Sequence, residues 1–319
     1  MNKLLVIVGP TGTGKSNLAI SLAKPYQGEI ISADSRQLYK EMDIATGKEV
    51  TQLKEGKAEK HEGYWVVDKV KINLYDLIGP KETFSVAAYQ QKAVAVIKKL
   101  HQEKRLPILV GGTGLYIMSV TDGLKIPKSP PNFELRRKLE NTLPALLYKK
   151  LKEVDPVTAS RIDENNPRRL VRALEVYYQT GEPISTLQEK YSPEFDLLFI
   201  GLTAPREKLY ENADRGVEEW VKIGLVEETQ ELLKKGYSLA LPSMTSIGYR
   251  QISMHLEKKL TLEEAVQRIK FDRHNYIRRQ QTWFKRDGRV FWFDITDGDS
   301  AAKISKLVSQ WYNTGNDSS

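Results

Sequence analysis

The sequence predicts an α/β fold, with a doubly wound parallel sheet and a helical insertion domain. Apolar runs rich in β-branched residues at 4–8, 30–31 and 107–110 alternate with segments of helical spacing. This alternation is typical of parallel strands joined by crossover helices. Residues 122–191, in contrast, are rich in Leu, Lys, Arg and Glu at helical periods and show almost no strand pattern.

The change of pattern sets the expected domain boundaries. Prolines 127, 130 and 131 precede the helical stretch, and Ser192-Pro193 follows it. Because proline ends regular elements, these positions indicate where the chain leaves the sheet and returns to it. We predict a core domain of residues 1–121 and 195–319, and an insertion domain of residues 122–194.

The other elements are predicted from local signals in chain order. Pro25 ends the helix that follows the first strand, and Thr261 with Glu264 forms a capping box at the start of a long helix. The predicted elements are a helix at 16–24, strand-like pieces at 64–67 and 69–74, a helix at 85–101, a strand at 196–202, helical spacing over 206–235, a helix over 261–284 and a last strand at 290–293.

The composition is that of an ordinary globular protein without disulfides. Of the 319 residues, 40% are hydrophobic, 49 are Lys or Arg, 41 are Asp or Glu and none is Cys. The lack of cysteine excludes a disulfide scaffold, a Cys-ligated metal site and a thiol nucleophile. The run at 4–8 is far shorter than the ~20 residues of a membrane span, and it leaves no room for a targeting peptide. We therefore expect a cytoplasmic protein with no membrane partner.

The first strand leads into a loop that fits the pattern G-x-x-x-x-G-K-[ST] at every fixed position. A strand before the loop and a helix after it form the structural context that this pattern requires. Its glycines allow backbone N–H groups to converge on a phosphate, while Lys15 adds a positive charge and Ser16 can hold Mg²⁺. The loop predicts a phosphate-binding site and a P-loop NTPase-like sheet, and the structural alternative is a plain strand–helix turn. The residues of the loop are Gly9, Pro10, Thr11, Gly12, Thr13, Gly14, Lys15 and Ser16.

Two residues at the ends of other strands are expected beside this loop. Asp34 follows the second strand, and ligands of open parallel sheets bind at the carboxyl ends of the strands. We therefore expect Asp34 to face Lys15 as a general base or a Mg²⁺ ligand, although its spacing to Gln37 also fits a helix cap. Thr113 lies in the glycine turn after the third strand, where substrate contact and a structural role are both open.

Basic residues are concentrated near the C-terminal end of the chain. Residues 268–289 contain eight Lys or Arg against two Asp, a net +6 of the total +8. Together with interleaved aromatic residues this indicates a polyanion-binding face, and a solvated helix face is the alternative. A second cluster, formed by Arg168, Arg169 and Arg172, shares one side of a helix that begins at Asn166-Pro167.

Taken in order, the motifs resemble those of tRNA dimethylallyltransferases in their short bacterial form, over nearly the whole chain. The phosphate loop alone is a weak sign of this family, whereas the ordered set is specific. The motifs are GPTGTGKS at 9–16, DSRQLY at 34–39, MDI at 42–44, GGTGLY at 111–116, the segment 166–176, IGY at 247–249 and RRQQTWF at 278–284.

The resemblance implies transfer of a dimethylallyl group from dimethylallyl diphosphate to N6 of the adenosine 3′-adjacent to the anticodon. It implies Mg²⁺ at Ser16, Asp34 as the base, Thr11 as a catalytic residue that stabilises charge on the departing diphosphate, and a monomer that binds the tRNA anticodon stem-loop. The implied diphosphate-binding residues are Gly9, Thr11, Gly12, Thr13, Gly14, Lys15, Ser16 and Arg215. The implied tRNA-binding residues are Asp34, Ser35, Arg36, Gln37, Thr113, Arg168, Arg169, Arg172, Gly248, Tyr249, Arg278, Arg279, Gln280 and Trp283.

The chain departs from the family pattern at several positions. The family has a diphosphate-contacting arginine in the helix before Gly224, and Gly216 takes its place here. Arg215, one position earlier, is the expected substitute. Ser246 replaces the usual Gln before IGY, and residues 71–76 replace a stretch with paired histidines, so no function is carried to them.

Three other functions remain open at this stage. A P-loop kinase would use Asp34 as its base, but it requires ATP turnover and leaves the basic stretch unexplained. Prenyl transfer to free AMP would need no tRNA-binding surface. An RNA-binding module with a vestigial phosphate loop would not need the intact Lys15 and Ser16.

Overall fold

The computed structural model describes residues 2–127, 129, 131–187 and 195–314. The chain divides into two compact units, one of Met1–Ile117 with Glu194–Ser319 and one of Met118–Pro193. Among the described residues, no helix is long and apolar enough to cross a membrane. The first unit holds the sheet and the second is helical.

The described part of the chain forms one eight-stranded sheet with the order β3-β4-β5-β2-β6-β1-β7-β8. All neighbouring pairs from β5 to β8 are parallel, whereas β3-β4 and β4-β5 are antiparallel. The strands are β1 (Lys3–Val8), β2 (Glu29–Ser32), β3 (Ala58–His61), β4 (Tyr64–Val67), β5 (Val70–Asn73), β6 (Pro107–Val110), β7 (Asp196–Thr203) and β8 (Val290–Asp294). A mixed α/β fold with a mostly parallel sheet is therefore confirmed.

Helices account for most of the remaining described chain. The helical spacing predicted over 206–235 is confirmed, and Gly224 with φ +109° divides this segment into two helices. The helices are α1 (Lys15–Ala23), α2 (Val50–Lys54), α3 (Val86–Gln102), α4 (Gly114–Thr121), α5 (Phe133–Glu140), α6 (Pro144–Val154), α7 (Pro156–Ala159), α8 (Pro167–Thr180), α9 (Ile184–Leu187), α10 (Arg206–Lys222), α11 (Leu225–Lys234), α12 (Tyr249–Leu256), α13 (Leu262–Phe284) and α14 (Ser300–Asn313), with one 3₁₀ turn at Lys24–Tyr26.

The centre of the sheet positions the site. Strands β1, β2 and β6 are buried along their whole length, and they lie side by side in the order β2-β6-β1. Val110 pairs with Ile7 on one side and with Ser32 on the other, so the three strands end at the same level. The loops that follow these strands therefore meet at one edge of the sheet.

The helical unit has its own apolar core, built mainly from leucines. Asn166 caps α8 by accepting a hydrogen bond from the Arg169 amide, as the Asn-Pro start predicts. The buried side of α8 includes Leu170 and Leu174, but Tyr178, which the spacing assigns to that side, is 47% exposed. The core cluster consists of Leu139, Leu147, Leu151, Ala159, Leu170, Val171, Ala173, Leu174, Val176 and Ile184.

A buried ion cluster fastens the segment after β2 to the antiparallel edge of the sheet. The fully buried Lys48 ammonium lies 2.5 Å from Asp76 Oδ1 and 2.7 Å from Asp43 Oδ1. The Trp65 indole N–H donates to the other Asp76 oxygen at 2.7 Å. Since removing one partner of a buried pair leaves an uncompensated charge, the cluster should be sensitive to substitution.

We expect Lys48→Met to lower the free energy of unfolding by about 3–5 kcal/mol, because Asp43 and Asp76 lose their buried cation and are left with the part-exposed Lys60 as partner. Urea unfolding followed by circular dichroism measures the change. The matched control is Lys57→Met, whose ammonium pairs with Glu55 on the surface. Equal urea midpoints for the Lys48 and Lys57 variants would contradict a stabilising role of the buried ion cluster.

Candidate active site

The glycine-rich loop connects β1 to α1 through backbone conformations that favour glycine. Gly9, Gly12 and Gly14 all have positive φ, and Gly14 in the left-handed region is the N-cap residue of α1. A Cβ at Gly9 would lie 2.4 Å from the carbonyl oxygen of Leu202. The loop thus directs the amino end of α1, with its partial positive charge, toward the edge where the central strands end.

A cavity of about 220 Å³ opens in front of this loop. The loop, the end of β2 and the glycine turn after β6 all contribute to its wall. Asp34 and Lys15 therefore face the same space, as the strand-end argument predicts. The lining includes Thr11, Gly12, Gly14, Lys15, Ser16, Asp34, Gln37, Thr46, Gly47, Tyr75, Gly111, Gly112 and Gln280.

Asp34 lies at the start of a turn rather than at the start of a helix. The Arg36 amide donates to Asp34 Oδ1 at 2.8 Å, and residues 35–38 form a turn, so the helix-cap interpretation is wrong. Burial raises the pKa of Asp34, and the charges of Arg36 and Lys15 oppose that shift. A carboxylate with a raised pKa is a stronger base than an ordinary aspartate.

Lys15 is held in the loop by its own backbone. Its ammonium donates to the carbonyl oxygen of Pro10 at 2.8 Å. Burial lowers the pKa of Lys15 to about 8, Asp34 opposes this change, and the positive charge of Arg273 adds to it. Lys15 is thus largely charged at neutral pH, in a place where an anion would stabilise that charge further.

Ser16, in the first turn of α1, lies beside a buried carboxylate that the sequence did not single out. The Tyr75 hydroxyl donates to Glu49 Oε2 at 2.9 Å, and Ser16 lies near enough to the Glu49 carboxylate to favour its charged form. Burial raises the pKa of Glu49. No motif marks Glu49, because only the folded chain brings it to the phosphate loop. Within the described ranges, no group of three or more His, Cys, Asp or Glu could hold a metal ion.

Gln280 on α13 connects the phosphate loop to the glycine turn. The Thr11 amide donates to Gln280 Oε1 at 2.9 Å, and Gln280 Nε2 donates to the carbonyl oxygen of Gly112 at 3.1 Å. A Cβ at Gly112 would lie 2.0 Å from Gln280 Nε2, and one at Gly114 would lie 2.0 Å from Trp283 Nε1. The two glycines thus allow α13 to pack directly against the turn.

Thr113 holds the Asp34 turn in place. Its hydroxyl accepts a hydrogen bond from the Ser35 amide at 3.1 Å, and its own amide donates to the carbonyl oxygen of Ala33 at 3.1 Å. Thr113 therefore positions the residues on both sides of Asp34. Its contact with adenosine stays a prediction.

The other residues predicted around Asp34 have diverse surroundings. Arg36 donates to the carbonyl oxygen of Pro242 at 2.8 Å. Gln37 lines the cavity and donates to the carbonyl oxygen of Gly47 at 3.3 Å. Tyr249, which follows Gly248 at the start of α12, is fully buried and donates to Glu228 at 2.5 Å. The structure thus places Gln37 at the cavity and Tyr249 inside the core.

The predicted arginines lie mostly at the surface. Arg215 is exposed, pairs with Glu211, and does not line the cavity. Arg278 donates to the Tyr210 hydroxyl at 3.0 Å, and the exposed Arg279 lies over the ring of Tyr276.

On the helical unit, Arg168 and Arg169 are exposed at the start of α8. Arg172 instead donates to the buried Glu175 carboxylate at 2.6 Å and to the carbonyl oxygen of Ser129 at 3.0 Å. Arg168 and Arg169 are thus the two members of this cluster that reach solvent freely.

A family profile described as IPP transferase matches residues 37–287, from the Asp34 turn to the end of α13. This chain belongs to the IPP transferase family. The chain is 43% identical over 303 residues to a tRNA dimethylallyltransferase of Thermomicrobium roseum, which covers 93% of this chain and 88% of the relative. Family membership is therefore supported over nearly the whole sequence.

Solved structures of the family have the same fold. The full-length tRNA isopentenylpyrophosphate transferase of Bacillus halodurans shares 35% identity, with a TM-score of 0.70 and coverage of 98% of this chain and 97% of that chain. A eukaryotic dimethylallyltransferase acting on tRNA shares 27% identity, with a TM-score of 0.81 and coverage of 98% and 80%. Members of the family at 27–35% identity thus share the fold of this chain.

Proposed function

We propose that the protein transfers a dimethylallyl group from dimethylallyl diphosphate to N6 of the adenosine 3′-adjacent to the anticodon in tRNA. The reaction releases diphosphate. The observation that carries the proposal is the shared cavity, in which Lys15 faces Asp34. A cation that holds a leaving group and a base that accepts a proton are the two components that this reaction requires.

The phosphate loop supplies the donor site. Backbone N–H groups from Gly12 to Ser16 and the Lys15 ammonium would bind the diphosphate and stabilise the charge that develops on it. The oxygen donors at Ser16 and Glu49 fit Mg²⁺, which prefers such ligands. When bound, Mg²⁺ would neutralise part of the charge on the departing diphosphate.

Asp34 supplies the base for the acceptor. The adenine N6 amine is a weak nucleophile, because its lone pair is delocalised into the purine ring. As the new N6–C1 bond forms, the C1–O bond breaks and its electron pair leaves with the diphosphate. Asp34 accepts the N6 proton, and Thr11, which lines the same cavity, would stabilise charge on the departing diphosphate.

The sheet itself supports a P-loop NTPase-like fold. The loop with the G-x-x-x-x-G-K-[ST] pattern joins a central parallel strand to a helix, and the parallel neighbours β2 and β6 carry the other cavity residues. In this fold the loop commonly binds a nucleoside triphosphate. We assign it here to an isoprenoid diphosphate, because the relatives that match nearly the whole chain are named tRNA dimethylallyltransferase or tRNA isopentenylpyrophosphate transferase.

The exposed arginines supply the tRNA-binding surfaces. Arg278 and Arg279 lie on α13 of the first unit, and Arg168 and Arg169 lie on α8 of the helical unit. Guanidinium groups suit phosphate oxygens, and the half-exposed Trp283 beside Gly114 offers a stacking face for a base. We assign the helical unit to binding of the anticodon stem-loop.

Labelled dimethylallyl diphosphate mixed with unmodified tRNA and Mg²⁺ tests the function directly. We expect N6-prenylated adenosine in the tRNA, with no requirement for ATP. Absence of that product at saturating substrate would overturn the proposal. Label in free AMP would favour transfer to the nucleotide, and ATP turnover would favour a kinase.

The basic face of α13 has its own test. We expect the double variant Arg278→Gln/Arg279→Gln to weaken tRNA binding and to reduce the slope of log K against log salt concentration by about 2, since two phosphate contacts are lost. Lys303→Gln/Lys306→Gln, on the exposed face of α14, removes the same charge and is the control. Equal salt slopes for the wild-type protein and the α13 variant would mean that Arg278 and Arg279 face solvent and do not contact tRNA phosphates.

A further inference from the structure

Arg273 occupies an unusual position for an arginine. It lies on the buried side of α13, between Ile269 and Ile277, and only 7% of its surface is exposed. Charge counting places it in the basic face of this helix, and the structure shows that this placement is wrong. The spacing of four residues to each isoleucine was the signal that it belongs to the interior.

The guanidinium of Arg273 is enclosed but incompletely bonded. It lies 4.1 Å from the centre of the Trp220 ring. Its Nε and Nη1 atoms have no hydrogen-bond partner in the part of the chain that the structure describes. The nearby Asp214 favours its charge, but that carboxylate is already bonded to His274 at 2.8 Å. Burial lowers the pKa of Arg273 to about 10, so it keeps its charge at neutral pH.

A buried, incompletely bonded guanidinium lowers the stability of the folded protein. A buried charge without full hydrogen bonding is unfavourable, and apolar residues of similar volume often replace one without loss of stability. Unsatisfied donors of this kind call for an explanation, and one explanation is a ligand that is bound during function.

Helix α10 contacts both Arg273 and the phosphate loop. Asn212 on α10 donates to the carbonyl oxygen of Gly12 at 3.0 Å, which fixes this face of α10 against the loop. Gly216 lies one turn further along the same face. A Cβ at Gly216 would lie 3.1 Å from Arg273 Nη1, so the missing side chain leaves the space that the guanidinium fills.

We propose that Arg273 binds the diphosphate of the donor, reaching from α13 into the place that Gly216 leaves open on α10. This inference rests on the proposed function and replaces Arg215, which points to solvent, as the arginine of the donor site. The phosphate loop and Arg273 together bring a helix amino end, an ammonium and a guanidinium to one anion. A ligand with several negative charges, such as a diphosphate, matches this set better than a single phosphate does.

Titration calorimetry of the full chain with inorganic diphosphate and Mg²⁺ tests the inference without turnover. We expect Arg273→Met to weaken diphosphate binding by about 10–100-fold, since charge-assisted hydrogen bonds are lost. Arg273→Lys keeps the charge but lacks the planar fork, and should lose less. Arg268→Met, on the exposed side of the same helix, should bind as the wild-type protein does.

Thermal unfolding separates a ligand-binding role from a structural one. If Arg273 serves the ligand, Arg273→Met should melt without diphosphate at the same temperature as the wild-type protein or higher, because an apolar side chain replaces an underbonded charge. If the folded Arg273 variants bind diphosphate with an affinity within twofold of the wild-type value, the inference is overturned. Should the Met variant not fold, the Lys variant gives the deciding affinity.

The two proposals fail separately. A wild-type protein that prenylates tRNA while Arg273 variants keep their diphosphate affinity would disprove only the role of Arg273. A wild-type protein that forms no prenylated tRNA would disprove the proposed function, whereas the calorimetric comparison would still decide whether Arg273 binds the anion.

Discussion

Asp34→Asn is expected to lower the rate of the chemical step by about 10²–10⁴-fold, the usual contribution of a general base. The amide has nearly the same shape as the carboxylate, and its oxygen can still accept the hydrogen bond from the Arg36 amide. The turn should therefore keep its conformation while the proton acceptor is lost. Single-turnover formation of prenylated tRNA measures the rate.

Binding and pH dependence make this prediction specific. The affinity for tRNA should change by less than about twofold, because Asp34 acts on one proton. The wild-type rate should fall as the pH falls through the pKa of Asp34, and burial shifts this limb above the range of an ordinary aspartate. Asp68→Asn, at an exposed turn, is the control. A loss of tRNA affinity as large as the loss of rate would refute the role as a base.

Lys15→Met is expected to reduce turnover by about 10²–10³-fold, since removal of one preorganised charge at a leaving group typically has an effect of this size. Lys15 is partly buried in the loop and faces the cavity, so bulk solvent only partly replaces its charge. Affinity for inorganic diphosphate should fall as well. Turnover with labelled donor and calorimetry with diphosphate check the two effects.

The neighbouring helix end offers a matched control for Lys15. Lys24 lies at the C-terminal end of α1, where its side chain is exposed. Lys24→Met removes the same charge from the same helix and should leave both measurements unchanged. Unchanged diphosphate affinity in Lys15→Met would exclude the loop as the donor site.

Residues at strand ends could be predicted because their placement follows from topology. Once β1 and β2 are recognised as parallel strands, Lys15 and Asp34 must lie at the same edge of the sheet. Neither prediction needs knowledge of side-chain packing. At the antiparallel edge, β4 and β5 match the strand-like pieces predicted at 64–67 and 69–74. Strand β3 was missed because it is short and charged, as edge strands often are, and carries no apolar alternation.

Residues whose role depends on tertiary packing could not be predicted in this way. Gln280 reads as a nucleic-acid contact in the sequence, whereas its amide joins the two glycine loops. Glu49 reaches Ser16 from a segment without periodicity. Arg273 carries a charge that composition assigns to the surface, although its neighbours in the helix predict burial.

The glycine turn limits how the donor site can be redesigned. Because Gln280 and Trp283 occupy the space above Gly112 and Gly114, no larger residue fits on that wall. The cavity is also lined by Ile30 and Ile72, which are paired across β2 and β5. Engineering toward longer isoprenoid chains must therefore start by shortening these two isoleucines, and libraries that randomise the glycines will mostly return misfolded protein.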